Sequence, residues 1–585
     1  MADNYWSEHS KSPPPSYSAY DSAACSGGDA PPPYNLNPAA APGRNERTPL
    51  IVLRPPPRIN VSIRIERYQG KRAILLTFGA LSFGVFVIWL LVSSPFLGSR
   101  TRTLPAPLPL YNVAIVGAGP AGIAAAQYLC SSPTARGVRF NITIFEAKPV
   151  IGGMLSLHDA NGKHVLPNDD PMQSHITAED IVGTALMWQN SLFTQDSENM
   201  LGDSIHFDEL VTNRVGFYKN RNNIASAVRP YSKSPVTTWC WLLWKYGASY
   251  LRAATFNADA DLRKRMLQAP LTTDAEDIFK SLGALEHLQE WAETLLKKSG
   301  ISDRYATEIL EPQARRAFGQ GLGHITGFAV MLAASQEDSA SAYMGGHLIE
   351  RLERIVRRLC VRVRTSTRVV GINHDSQGGR WSVQYASTTG EGDISTEVFD
   401  KVILTAVDMR IRLESRNGSV YNLSSFQEPG LDEGMDGPED DYFVPAHITF
   451  FTTKTKLTTW GAHDQVLFLD GSSGVQEIEL VRETTSHGGT QYLYRVLSQS
   501  SVLEYLRNNY GLLWSYETRI MNWHPIRSPL FRMPTFEWPL ARGLWWSSVI
   551  QQAWSTVDLN WLAGKAVADD LIKEVLAGEQ GQRVI

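Results

Sequence analysis

The sequence of 585 residues predicts a mixed α/β chain: a Rossmann-like nucleotide-binding domain assembled from discontinuous segments, an α+β substrate domain between them, and in front a disordered tail and one transmembrane helix. Three observations predict it. A glycine-rich turn follows the short apolar run at Val113, twenty uncharged residues extend from Ala73 to Val92, and Pro, Ser, Ala, Asn and Gly dominate the chain before them.

Composition narrows the function classes first. A hydrophobic content of 43% suffices for a sizeable core. A net charge of -4 supplies no broad basic field, so no nucleic acid is expected as a partner. Cys25, Cys130, Cys240 and Cys360 form no CxxC pair, and spacing therefore indicates neither a metal site nor a disulfide framework. Sixteen Trp offer aromatic surface suited to a deep apolar pocket as well as to ordinary core packing.

Residues 1–72 carry runs such as SPPPSYSAY and LRPPP without apolar periodicity, the composition of a disordered tail. Residues 73–97 contain AILLTFGALSFGVFVIWLLV, which at about 1.5 Å per residue is long enough to cross a bilayer core as a signal-anchor helix. Residues 98–110 form a linker with LPAPLPLY. Arg54, Arg58, Arg64, Arg67, Lys71 and Arg72 precede the span, whereas only Arg100 and Arg102 follow it closely. The positive-inside rule then predicts a cytosolic tail and a lumenal remainder, a single-pass type II membrane protein. Sequons at Asn417 and Asn422 are compatible with a lumenal side, and a third, at Asn141, falls on an expected buried strand. In the tail, PPxY patterns ending at Tyr17 and Tyr34 match WW-domain ligands. ERTPLI, with Leu50 and Ile51, matches a dileucine signal read by sorting adaptors, which favours a vacuolar, lysosomal or endosomal address.

VAIVGAGPAGIAAAQYL reads as strand, tight turn and helix. Gly117 permits the turn, Gly119 admits a pyrophosphate to the backbone, and Gly122 lets the helix lie close to the sheet. Pro120 and Ala121 open that helix with its N-terminus toward the phosphates. FNITIFE ends a second strand at Glu146, placed to accept hydrogen bonds from ribose hydroxyls, and Gly152-Gly153 follows. This combination resembles the FAD-binding members of the glutathione-reductase-like superfamily, which implies FAD as cofactor. FDKVILTA, ending at Ala406, resembles the strand that returns to the cofactor in that superfamily. WSTVDLNWLAGKAVADDLIKEVL resembles its final helix, with Leu559, Leu562, Ala563, Ala566, Val567 and Leu571 on one face and Asp558 as candidate cap near the flavin. The FAD-binding domain is then expected in three parts, 111–185, 341–410 and 541–585, and the substrate domain in two, 186–340 and 411–540.

Three further stretches, WLLWKYGASYLRA from Trp241, ARRAFGQGLGHITGFAVMLAAS from Ala314 and GLWWSSVIQQAWSTVDLN from Gly543, resemble the prenylcysteine oxidase (prenylcysteine lyase) family, as does Gly345-Gly346. The resemblance extends, with gaps, from about Asn112 to Ile572. It implies a lumenal FAD-dependent oxidase that cleaves the thioether of farnesyl- or geranylgeranyl-cysteine with O2. Hydride leaves the allylic carbon beside sulfur, water adds there, and collapse releases prenyl aldehyde and free cysteine; oxygen reoxidises the cofactor to yield hydrogen peroxide. Such chemistry asks for an apolar chain held in place, so an aromatic tunnel is expected. Its candidates are Trp241, Trp244, Tyr246, Tyr250, Phe318, Phe328, Trp545 and Trp546. Arg315, aligned with a family arginine, is the candidate carboxylate partner or a structural ion pair, and His324 a candidate base toward water.

Two departures from the family pattern stand out. Met154 occupies the place where related enzymes usually have Arg, and PNDDPMQSH at 167–175 replaces a Gly-rich turn. Two other functional readings remain open: a flavin amine oxidase or desaturase-like enzyme on another lipophilic substrate, and a non-catalytic lumenal binding protein whose tail recruits WW-domain proteins.

Overall fold

The structure is a computed structural model. It describes residues 108–157, 192–204, 214–228, 235–255, 264–335, 347–406, 412–414, 420–422, 444–523, 538–552 and 556–583, apart from short gaps within these ranges. The expected tail and span, with Tyr17, Tyr34, Leu50 and Ile51, lie outside the described residues, as do Gly345-Gly346, the Asn417 sequon and residues 167–175. Among the described residues no helix is long and apolar enough to cross a membrane. The chain divides into residues 1–103 and 104–585, and every described residue belongs to the second unit.

The apolar run of the glycine fingerprint forms β1 (Leu110–Val116), inside a six-stranded sheet. It lies between β2 (Arg139–Phe145) and β9 (Lys401–Leu404), both parallel to it. β5 (Val361–Arg364) extends the parallel array beyond β2, and β18 (Leu544–Trp546) extends it beyond β9. β17 (Pro539–Ala541) closes that edge antiparallel. The inner strands β1, β2, β9 and β18 read as continuous apolar runs because a parallel sheet is buried on both faces, whereas the edge strand β5, VRVR, alternates. VAIV, ITIF, VIL and LWW are accordingly buried throughout.

Two long helices cover this sheet's core. α1 (Pro120–Ser131) follows β1, and the final helix, α8 (Val557–Arg583), packs on it. Gly564 makes the approach possible: a Cβ there would stand 2.1 Å from the carbonyl oxygen of Ala121. Leu559, Leu562, Ala563, Ala566, Val567 and Leu571 are all buried, as their helical spacing predicts. α2 (Leu192–Leu201) belongs here too, although the boundary at 186 assigned it to the substrate domain. Phe193 meets Trp561 edge to face at 5.0 Å, and Ser197 receives the guanidinium of Arg351 from α7 (His347–Arg358) at 2.9 Å. Such contacts join residues more than 150 positions apart in sequence, which local composition does not reveal.

A second sheet joins β6 (Thr367–Asp375), β7 (Arg380–Ser387) and β8 (Ser395–Phe399) as an antiparallel meander, and β10 (Arg412–Glu414) pairs parallel with β6, carrying β11 (Val420–Asn422). The boundary expected at 410 therefore falls within a sheet. The third sheet has seven strands: β16 (Leu512–Trp523), β12 (Val444–Thr453), β15 (Gly489–Ser498), β14 (Val475–Ser486), β13 (Gln465–Phe468), β3 (Arg214–Lys219) and β4 (Asn222–Val228), in that order. Helices between 235 and 335 accompany it, among them α3 (Pro235–Tyr246), α4 (Ala248–Ala254), α5 (Glu311–Phe318) and α6 (Gly327–Ser335). Asn141, expected on a buried strand, is exposed near the outer end of β2, where its amide donates to Asn112 Oδ1 at 2.8 Å.

Candidate functional site

Where β1 ends, Gly117 takes φ +109°, a conformation that L side chains rarely adopt, and a Cβ there would meet Thr405 Oγ1 at 2.6 Å. A Cβ on Gly122 would fall 2.0 Å from the Gly117 carbonyl oxygen, so only glycine lets α1 start this close to the turn. Opposite lies the second glycine turn. A Cβ on Gly153 would come within 3.1 Å of Gly119 Cα, and the Gly152 N–H donates to Ala118 O at 2.9 Å. Two stretches of bare backbone thus face each other at the N-terminus of α1. Pro120 and Ala121 form its first turn, and Gly119, its cap, offers no side chain to the open N–H groups.

Glu146 ties this cradle to β2. Its buried carboxylate accepts the Ala118 N–H at 2.8 Å on Oε2 and the Lys148 N–H at 2.8 Å on Oε1, and lone pairs remain for ribose hydroxyls. Lys148 folds back so that Nζ donates to Gly153 O at 2.7 Å. Burial holds its ammonium pKa below the ordinary value, partly opposed by the Glu146 charge. Just past β9, Thr405 Oγ1 donates to Val116 O at 2.9 Å, and Trp546 Nε1, at the end of β18, donates to Ala406 O at 3.1 Å. Ser156, 1% exposed and packed under Gly152, has a hydroxyl with no hydrogen-bond partner among the described residues. A dinucleotide fits these residues: the cradle admits only backbone, a buried acid stands at the ribose position, and an orphaned hydroxyl lies beside the second turn. Gly117, Gly119, Pro120, Ala121, Gly122, Glu146, Gly152, Gly153 and Ala406 converge there; Lys148, Ser156 and Thr405 join them without having been singled out in the sequence.

Asp558 takes a different role from the cap expected of it. Thr556 caps α8, its Oγ1 accepting the Leu559 N–H at 3.1 Å, while Asp558 sits inside the first turn, fully buried, and receives the Phe193 N–H at 3.3 Å. A hydroxyl two positions earlier competes for the same helix end, which sequence reading resolves only to within a residue or two.

Of the eight tunnel candidates, all but Trp244 belong to or pack against one hydrophobic core. Trp545 is fully buried, with Nε1 donating to Asp570 Oδ2 of α8 at 2.8 Å, and Phe318 and Phe328 are core residues. Trp546 is buried beside Ala406. Trp244 is 82% exposed on α3. Trp241, Tyr246 and Tyr250 make ring contacts with one another and with Tyr305, and Tyr246 donates to Glu308 Oε2 at 2.7 Å. Burial, and then the bond to Glu308, raise the Tyr246 phenol pKa well above its ordinary value.

Arg315 is an ion pair within its own helix. Nε donates to Glu311 Oε1 at 2.7 Å, and Glu311 Oε2 accepts the Leu322 N–H at 2.7 Å, which fixes the turn after α5. His324 lies exposed on the following 3-10 turn. A further buried apolar cluster begins just past the cradle. Leu157, just past the second glycine turn, packs with Ile448, Phe450, Leu493 and Leu497 of the seven-stranded sheet, and Trp514 and Tyr516 pack against that group. The alternation Ala446, Ile448, Phe450, Thr452 along β12 carries its sequence signal.

A parallel sheet with a dinucleotide cradle at the end of β1 defines a dinucleotide-binding α/β protein. The family model for prenylcysteine lyase matches residues 231–582, more than half of the chain, and a model for NAD(P)-binding Rossmann-like domains matches residues 115–178. The chain belongs to the prenylcysteine lyase family and is a flavin-dependent oxidoreductase. Among solved structures it is similar to wild-type putrescine oxidase bound to putrescine, at 13% identity and a TM-score of 0.45, covering 80% of this chain and 100% of that one. It is also similar to a triple mutant of that enzyme from a redesign of cofactor binding, at 14% identity, a TM-score of 0.47 and the same coverage. Among curated proteins none matches.

Proposed function

We propose that this protein is an FAD-dependent oxidase that cleaves the thioether of prenylcysteines with O2, giving prenyl aldehyde, cysteine and hydrogen peroxide. The observation that supports this reading is the match of the prenylcysteine lyase family to residues 231–582, beside a buried apolar cluster of Leu157 with Ile448, Phe450, Leu493 and Leu497 just past the second glycine turn. Bound FAD would supply the two-electron acceptor.

The chain's own residues do the rest. The opposed glycine turns and the N-terminus of α1 hold the pyrophosphate, and Glu146 accepts from the ribose. Lys148 at Gly153 O places a cation beside the turn where Met154 leaves none. Ser548 Oγ, donating to Thr405 O at 2.9 Å, keeps the segment leading into α8 against the end of β9. Ile448, Phe450, Leu493, Leu497, Trp514 and Tyr516 pack the isoprenoid, each buried methylene contributing about 0.8 kcal/mol, and orient its first carbon.

Residues 73–97 would anchor the chain with its catalytic part lumenal, in a vacuole, lysosome or endosome; the excess of Arg and Lys before the span supports that orientation. Tyr17 and Tyr34 would then face cytosolic WW-domain proteins, and Leu50-Ile51 sorting adaptors. The flavin-loaded protein incubated with farnesylcysteine should release prenyl aldehyde and hydrogen peroxide in equal amounts. Peroxide produced from amines instead would assign it to amine oxidation.

A further inference from the structure

The inner side of the seven-stranded sheet, where it meets α5, carries charge at positions that apolar side chains would pack as well. Glu477 and Glu479 of β14 are 2% and 1% exposed, and Arg495 of β15 is 7% exposed. Arg495 Nη2 donates to Glu479 Oε2 at 2.7 Å and stands 3.4 Å from Glu477 Oε2. Arg316 of α5, 9% exposed, brings Nε to 3.5 Å from Glu477 Oε1, and Gln465 of β13 donates to the same carboxylate. Buried ion groups of this kind bring little net stability over apolar packing, so a use for both signs at this place is a reason to keep them.

Two placements indicate that use. Arg495 lies between Leu493 and Leu497 on one face of β15, and both leucines pack with Leu157 beside the cofactor turn. Two strand residues span roughly 7 Å, so the charges begin about one amino-acid length from the apolar cluster. Gln313, one turn before Arg316 on α5, is 4% exposed, and its Oε1 has no hydrogen-bond partner among the described residues.

Building on the reading of the protein as a prenyl thioether oxidase, we propose that this cluster is the subsite for the zwitterionic amino-acid end of the substrate. Arg316 and Arg495 face its carboxylate, Glu477 and Glu479 face its ammonium, and Gln313 Oε1 accepts a further N–H. Two guanidinium and two carboxylate groups make the cluster neutral overall, matched to a zwitterion rather than to a simple amine or acid. A thioether without the amino-acid end makes none of these contacts and is selected against.

Steady-state oxidation by the flavin-loaded full chain tests this with S-farnesylcysteine and with farnesyl methyl sulfide, which has no amino-acid end. Arg316→Met should raise KM for farnesylcysteine roughly ten- to a hundredfold and leave that for the sulfide unchanged, with partial recovery in Arg316→Lys. Gln313→Leu removes no hydrogen bond of the structure, keeps the side-chain volume, and should raise the same KM about fivefold to tenfold; it decides the matter if Arg316→Met does not fold. Equal shifts with both substrates, or no shift in Gln313→Leu, overturn the subsite and leave the oxidase reading intact. A wild-type protein that oxidises neither thioether overturns the oxidase reading itself and the subsite with it.

Discussion

The buried carboxylate of Glu146 accepts the backbone N–H of Ala118 at 2.8 Å, so the acid ending one strand holds the glycine turn ending its neighbour, 28 residues earlier. Glu146→Gln keeps the shape and removes the charge. A hydrogen bond to a charged group contributes about 1.5–3 kcal/mol, so flavin affinity should fall roughly ten- to a hundredfold. The ratio of flavin to protein absorbance after dialysis measures this; full retention would place the cofactor elsewhere.

Gly564 and Gly578 stand on the same helix in opposite circumstances. A Cβ on Gly564 would meet Ala121 O at 2.1 Å, whereas nothing lies within 4 Å of one on Gly578. Gly564→Ala should destabilise by about 1–3 kcal/mol or more through forced separation of α1 and α8. Gly578→Ala should stabilise by about 0.5–1 kcal/mol. Thermal unfolding of the two variants reads the difference.

Glu517 of β16 is held down to about 2 from an ordinary 4.5. Burial alone would raise it, but hydrogen bonds from Thr449 Oγ1 at 2.7 Å and the Val502 N–H at 3.2 Å, with His447 and Ser501 beside the carboxylate, outweigh that. A depressed carboxylate contributes stability that is complete above pH 4.5 and lost as pH falls toward 2, on the order of 3 kcal/mol. Glu517→Gln should therefore lower Tm at pH 7 and at pH 5, with the gap to the parent closing toward pH 2. A gap independent of pH would contradict the assignment. The bond network would stay intact at the acidity of a vacuole or lysosome.

The two aromatic surfaces separate in activity. Trp244→Ala should leave kcat/KM for farnesylcysteine within about twofold, because the side chain is 82% exposed. Tyr516→Ala, which opens the apolar cluster around Leu157, should raise KM about tenfold. The reverse order would return the substrate to α3.

The cradle was legible because sterics write it into residue identity. Gly117 and Gly122 tolerate no side chain, and Glu146 must end a strand next to them. The residues that complete it were not. Thr405 reaches Val116 O across 289 positions, and Lys148 and Ser156 act through a turn whose shape the sequence does not state. The partners of the aromatic candidates were hidden for a similar reason. Abundance of Trp and Phe does not say which side of a strand or helix they occupy: Trp545 points to Asp570 of α8, while the cluster around Leu157 rests on an alternation along β12 that looks like any half-buried strand. Arg315 showed the charge but not its partner, Glu311, one turn back.

The most direct measurement is anaerobic titration of the flavin-loaded protein with farnesylcysteine, followed by absorbance at about 450 nm and then by admission of air. The account predicts bleaching at one equivalent of farnesylcysteine, no bleaching by simple amines, and one equivalent of hydrogen peroxide as the colour returns. Flavin that stays oxidised with prenylcysteines, or that bleaches only with amines, would contradict it.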